Sequence, residues 1–146
     1  MPAAVEELLR YDSPVERTIT RWASTDVEVG GETIRRGDLV IAVIGSANRD
    51  DGRFDDPSRL DVRRHDTKHV AFGRGSHYCL GAPLARLEAE IALATLFRRL
   101  PGLRLAVEPE SLAHRPIPLF RSLVSLPVTW HKTGSRSHGT RSHENP

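Results

Sequence analysis

The sequence predicts a mainly α fold with small antiparallel β-sheets, an α+β class, on three observations. Apolar residues recur at helical spacing close to the start and again over a long stretch at 80–100. Between these, residues 15–44 roughly alternate apolar and polar side chains and carry a Gly30-Gly31 turn, the period and punctuation of short paired strands. A run over 51–77, rich in Asp, Arg, Gly and Ser, has too few apolar anchors to form an element of its own; such a stretch in a compact domain is usually functional or disordered.

Taken in order, residues 3–11 read as a helix, with Val5, Leu8 and Leu9 at helix spacing and Pro2 tolerated in the first turn. The alternation from Val15 to Trp22 reads as a strand, and Val27 to Ile34 as two short strands about the glycine pair. Arg36-Gly37-Asp38 turns the chain into Leu39–Ile44, whose branched apolar run reads as a buried strand and is far too short to span a bilayer. The second helix runs from Leu80 to Leu100, with Pro83 in its first turn and Pro101-Gly102 as its stop. Leu84, Leu87 and Ile91 form one apolar stripe on it, and Ala85, Ala89, Ala92, Leu93, Leu96 and Phe97 another. A helix apolar on more than one side belongs inside something. Leu103–Leu105, Pro116–Arg121 and Leu123–Trp130 read as short strands and a hairpin, and no segment repeats.

A length of 146 residues suits one domain, expected over 1–130, followed by a disordered tail at 131–146. The formal net charge of +2 lies in that tail, where Lys132, Arg136 and Arg141 outnumber Glu144 and no aliphatic residue is present to offset the entropy of ordering. The body is balanced in charge, so neither nucleic acid nor a membrane surface is expected as a partner. The single Cys excludes an intramolecular disulfide and a Cys-based zinc cluster. No basic head precedes an apolar run at the start, so the expected location is the cytoplasm.

The informative segment is His69 to Gly81, which runs into the long helix. Cys79 sits at the helix entrance, where free backbone N–H groups and the positive end of the dipole favour a thiolate. Gly73, Gly75 and Gly81 strip side chains from both sides of the sulfur, which lets backbone approach a large flat partner. On its residues alone the segment suits a metal-ligating thiolate or a buried structural cysteine beside a helix cap. A dinucleotide fingerprint would need Gly at Tyr78, covalent haem attachment would need a second Cys, and no signature surrounds His77 as the base of a cysteine hydrolase.

Phe72-Gly73-Arg74-Gly75-Ser76-His77-Tyr78-Cys79-Leu80-Gly81 resembles the haem-binding loop of the cytochromes P-450 of the soluble bacterial type. The resemblance implies haem b, with Cys79 as the axial ligand of its iron, Phe72 packed beside the sulfur, and amides at the helix start hydrogen-bonded to it. Glu7-Leu8-Leu9-Arg10 resembles the family's Glu-x-x-Arg helix, and Pro57-Ser58-Arg59-Leu60 its later Arg motif, which implies a buried three-way pair of Glu7, Arg10 and Arg59. Outside that context Arg59 reads as an exposed loop charge. Asn48-Arg49-Asp50 and Leu126-Pro127-Val128 also fall where the family has them. By the same resemblance His77 and Arg21 hold the haem propionates, His69 is structural, and Val15 to Thr20 with Leu119 and Phe120 belong to the substrate-pocket wall. Without it, His77 is a satisfied polar residue, Arg21 a strand-surface charge, and the pocket residues are core and hairpin packing.

The implied activity is a haem-thiolate monooxygenase, which takes electrons from a ferredoxin or flavin reductase and inserts one oxygen atom into a small organic substrate. The resemblance covers only the C-terminal portion of the family fold, so an incomplete fold is expected. The oxygen-activating acid–alcohol pair has no counterpart here, which leaves no catalytic residue to name in this chain and makes a non-catalytic haem-binding remnant or an inactive gene fragment the alternative. Ser122 and Leu60 stand where the family commonly has Gly and Phe.

Overall fold

The computed structural model describes residues 1–131; the expected tail, apart from His131, lies outside them. Two helices carry the architecture. Helix α1 (Pro2–Tyr11) starts with proline in its first turn, where the missing N–H has no helical partner to lose. Helix α3 (Ala82–Arg99) starts with Pro83 in the same role and stops at Leu100, whose amide closes on the Leu96 carbonyl at 2.9 Å. The expected boundaries of both hold to within two or three residues. The helices pack on each other and are joined by Glu6 of α1 and Arg86 of α3, while Val5 (1% exposed) and Ala82 (fully buried) belong to the small apolar core.

Among the described residues, three two-stranded antiparallel sheets accompany the helices. Strands β2 (Val27–Val29) and β3 (Glu32–Ile34) form the expected hairpin, in register Val27 with Ile34 and Val29 with Glu32. Its turn needs positive φ at both central residues, and Gly30 (+59°) and Gly31 (+87°) supply it. Strand β1 (Arg21–Trp22) pairs with β4 (Leu39–Val40), and β5 (Arg104–Leu105) pairs with β6 (Val128–Thr129). Isolated bridges join Val15 to Phe120, Arg17 to Val43 and His114 to Leu123.

Two strand expectations are corrected. The strand expected over Val15–Trp22 is reduced to two single bridges and the short β1. The buried strand expected over Leu39–Ile44 is cut to β4, and Ile44 opens a short helix, α2 (Ile44–Ala47). The Gly45 amide donates to the Glu16 carbonyl at 3.1 Å and turns the chain out of the sheet there. The run is also exposed, with Leu39 at 58% and Val43 at 51%, because nothing packs on that face of the sheet. Apolar composition alone does not bury a strand that has one short partner.

The core is small and largely polar. Beside Val5, Phe54, Ala71 and Ala82, the buried residues are Glu7, Arg10, Ser13 and Asn48. The stretch at 51–77 is irregular apart from a 3-10 turn at Gly75–His77, and it is held by turns and side-chain hydrogen bonds. Among the described residues, no helix is long and apolar enough to cross a membrane.

Candidate functional site

The loop before α3 is shaped by its own backbone. Gly73 (φ +74°) and Gly75 (φ +76°) take left-handed conformations that L side chains resist. The Gly73 amide donates to the Val70 carbonyl at 2.9 Å, a single 3-10 turn spans Gly75–His77, and the Cys79 amide closes the loop on the Phe72 carbonyl at 2.9 Å. This tight ring leaves Cys79 exposed, which removes the reading of a buried structural cysteine. A Cβ built on Gly81 would lie 3.8 Å from Sγ, so glycine keeps that flank of the sulfur bare without being sterically required. The Ala82 amide is occupied by the Cys79 carbonyl at 3.2 Å, so that amide at the helix start is not a donor to the sulfur.

An exposed soft donor in a bed of glycine backbone fits a flat metal macrocycle that accepts one axial protein ligand. No cluster of three or more His, Cys, Asp or Glu residues able to hold an ion occurs among the described residues.

Beneath the loop, Glu7 and Arg10 are fully buried and form a bidentate pair, Arg10 Nε donating to Glu7 Oε2 at 2.7 Å and Nη2 to Oε1 at 2.8 Å. One helical turn places them on the same face. Arg10 also donates Nη1 to the carbonyls of Asn48 (2.8 Å) and Pro57 (3.0 Å), and Nη2 to that of Arg59 (3.2 Å). All five guanidinium N–H groups are thereby satisfied. Burial by itself would raise the Glu7 pKa. The Arg10 side chain and the Asp61 amide, which donates at 2.9 Å, outweigh it and hold the carboxyl below its ordinary value.

The third cation differs from the expectation. Arg59 is exposed and takes part through its carbonyl, whereas the guanidinium that faces Glu7 is that of Arg64, Nε lying 3.3 Å from Oε1. Arg64 reaches this position because the chain doubles back after Asp56 (φ +47°), and its Nη atoms donate to the Asp55 and Asp56 carbonyls at 2.7 and 3.1 Å. Asn48 ties the same region to the loop, its Oδ1 accepting the Val70 amide at 2.8 Å.

A second polar cluster joins α1, α3 and the loop. Arg86 donates to both oxygens of Glu6 (2.5 and 3.0 Å) and to the Tyr78 hydroxyl (2.9 Å), and its guanidinium lies 4.6 Å from the centroid of the Phe72 ring. His69 meets Glu6 Oε2 through Nε2 at 3.2 Å while its Nδ1 accepts the Ala71 amide at 3.1 Å. That amide fixes Nδ1 as the unprotonated nitrogen, so Nε2 carries the proton. Burial lowers the pKa of His69, with Glu6 opposing. Burial likewise works against ionised Glu6, but Arg86 and His69 overcome it and lower its pKa. The His69 side chain is buried between Glu6 and the Ala71 amide. Glu6, Arg64 and Arg86 were not singled out from the sequence, although Arg86 interrupts a small-residue face with Ala82, Ala85 and Ala89, which is the signal of a charge with a partner.

His77 ends the 3-10 turn and Arg21 lies in β1; both are exposed, and neither side chain has a hydrogen-bond or ion-pair partner among the described residues. The structure does bring the three pocket-wall candidates together: Val15 bridges Phe120, and the Glu16 amide donates to the Leu119 carbonyl at 3.3 Å. Phe120 is 52% exposed, so the wall encloses no space by itself.

Residues 1–121 match the family described as cytochrome P-450. Among curated relatives, the chain is 49% identical over 129 residues to the polyketide biosynthesis cytochrome P-450 PksS of Bacillus subtilis, covering 88% of this chain and 32% of the relative. It is 53% identical over 132 residues to nocardicin C N-oxygenase of Nocardia uniformis, covering 89% and 33%. Among solved structures, the tirandamycin C-bound P-450 monooxygenase TamI superposes with a TM-score of 0.86 at 51% identity, over 89% of this chain and 33% of that one. The chain thus spans about a third of the length of the curated relatives it matches.

Proposed function

The chain belongs to the cytochrome P-450 family, and from that premise we propose that it supplies the cysteine-bearing side of a haem-thiolate monooxygenase acting on a small organic substrate. The observation that carries the reading is Cys79, exposed at the end of a glycine-shaped loop at the head of α3. Haem b bound there supplies one-electron and dioxygen chemistry that no side chain has. Cys79 contributes the anionic sulfur ligand. The loop hydrogen bond from the Cys79 amide to Phe72 fixes its backbone, and Gly73 and Gly81 keep neighbouring side chains out of the macrocycle's plane. His77 and Arg21, unpaired among the described residues, are the polar groups offered to the carboxylates of the haem edge. Glu7 and Arg10 act through structure: they fasten the 48–64 segment to α1 and so carry the load from which the loop is hung. Electrons come from a ferredoxin or flavin reductase, and the location is the cytoplasm.

Haem binding without turnover is the second reading, favoured by the half-exposed pocket wall at Phe120. A haem titration of the chain beside Cys79→Ser tests the first claim: one-to-one uptake is expected for the native chain and strong weakening for the variant, and equal uptake by both would contradict it. Oxygenated product from a hydrocarbon substrate with hydrogen peroxide as oxidant would favour the enzyme; its absence in a haem-loaded sample would favour the binding protein.

A further inference from the structure

The polar cluster between the helices is more than a fastener. Through Arg86, the Glu6 and His69 side chains bear on two residues that hold the cysteine: Tyr78 precedes Cys79 directly, and Phe72 provides the carbonyl that accepts the Cys79 amide at 2.9 Å. Arg86 reaches both, donating to the Tyr78 hydroxyl at 2.9 Å and placing its guanidinium carbon over the Phe72 ring, 4.6 Å from the centroid. Its direction is set from behind by Glu6, which takes the other two donors at 2.5 and 3.0 Å. Glu6 is itself oriented by His69 Nε2 at 3.2 Å, and the His69 side chain is only 2% exposed. A side chain held by a bidentate carboxylate keeps one rotamer, and a planar cation on an aromatic face adds an attraction that depends on that rotamer.

We propose that Glu6 and Arg86 are positioning residues for the thiolate: together they clamp the loop at Phe72 and Tyr78 and thereby hold the Cys79 backbone and sulfur in the one arrangement that would ligate haem. The consequence for ligation rests on the reading of Cys79 as the axial ligand. The clamp on the loop rests on the fold alone, and the two are tested separately.

Hydrogen exchange on the haem-free chain tests the clamp. In Arg86→Met, which keeps the aliphatic stem and removes every donor, and in Glu6→Gln, the Cys79 amide is expected to exchange about tenfold faster or more, because charge-assisted hydrogen bonds resist the local opening. The Asp12 amide, bonded to Leu8 at the end of α1 at 2.9 Å, is expected to keep its native rate. Unchanged exchange at both amides would overturn the clamp. If both amides accelerate because the helices have separated, Tyr78→Phe decides: this variant deletes one hydroxyl, faster exchange confined to Cys79 supports the clamp, and native exchange there overturns it. In the haem-loaded, reduced protein under carbon monoxide, Arg86→Met and Glu6→Gln are expected to move a substantial share of the absorbance from the thiolate band to the band of haem that has lost thiolate. Retention of the full thiolate band would overturn the effect on ligation. A native chain that takes up no haem would overturn the functional reading and leave the exchange experiment to decide the clamp.

Discussion

Arg10 is bonded to four residues, Glu7, Asn48, Pro57 and Arg59, and its loss should be felt at all of them. Removing one partner of a buried pair leaves the other charge uncompensated, so Arg10→Ala and Glu7→Ala are each expected to destabilise the chain by roughly 3–5 kcal/mol in denaturant titration. Arg59→Ala is expected to change stability by less than about 0.5 kcal/mol, since its carbonyl and not its side chain is used. Arg64→Ala should fall between them. This ordering separates the observed arrangement from a triad built on the Arg59 side chain, which would put Arg59 beside Arg10. Acid acts on the same group. Because the Glu7 pKa is depressed in the fold, the stability it confers is complete above its unfolded value of about 4.3 and is lost as pH falls through the lower folded value. A denaturation series in pH should show that loss in the native chain and a shallower one in Glu7→Gln. Glu7 and Arg10 were legible through the resemblance of Glu7-Leu8-Leu9-Arg10 to the family's Glu-x-x-Arg helix, since the spacing alone also occurs at Glu32 and Arg35. Arg64 was not, because a motif names a residue by position and cannot say whether its backbone or its side chain is used.

At the scale of elements, the loop before α3 depends on backbone that only glycine adopts easily. Gly73→Ala and Gly75→Ala are each expected to cost about 1–2 kcal/mol, from positive φ at both and not from collision, since a Cβ at Gly75 would meet nothing within 4 Å. Gly81→Ala, with negative φ and ordinary contact to the sulfur, is expected to leave stability within about 0.5 kcal/mol of native. Thermal melts of the three variants check the contrast. Helices α1 and α3 and the Gly-Gly hairpin were readable because period, proline and glycine act locally. The fate of Leu39–Ile44 was not, because whether an apolar run is buried depends on what packs against it from elsewhere in the chain.

For the whole molecule, the stripe of Leu84, Leu87 and Ile91 on α3 is the revealing feature. Leu80 is 99% exposed, and Leu84, Leu87 and Ile91 are 56–59% exposed along one face of the helix. A contiguous apolar face of that kind is a contact surface or an aggregation liability. The chain by itself is therefore expected to self-associate at micromolar concentration in sedimentation velocity, and Leu84→Gln with Leu87→Gln and Ile91→Gln should shift it towards monomer without lowering its melting temperature. A monodisperse native chain would count against this. The need of α3 for neighbours on two sides was visible in its sequence; which side lacked them was settled only by the contact of Arg86 with Glu6 of α1 and by the exposure of Leu84, Leu87 and Ile91.

All three scales meet at the sulfur of Cys79. The most direct measurement is the carbon monoxide difference spectrum of the reduced, haem-loaded chain beside Cys79→Ser. Thiolate ligation requires the strongly red-shifted Soret band in the native chain and its absence in the variant; the same band in both, or an ordinary histidine-type band in the native chain, would contradict the account.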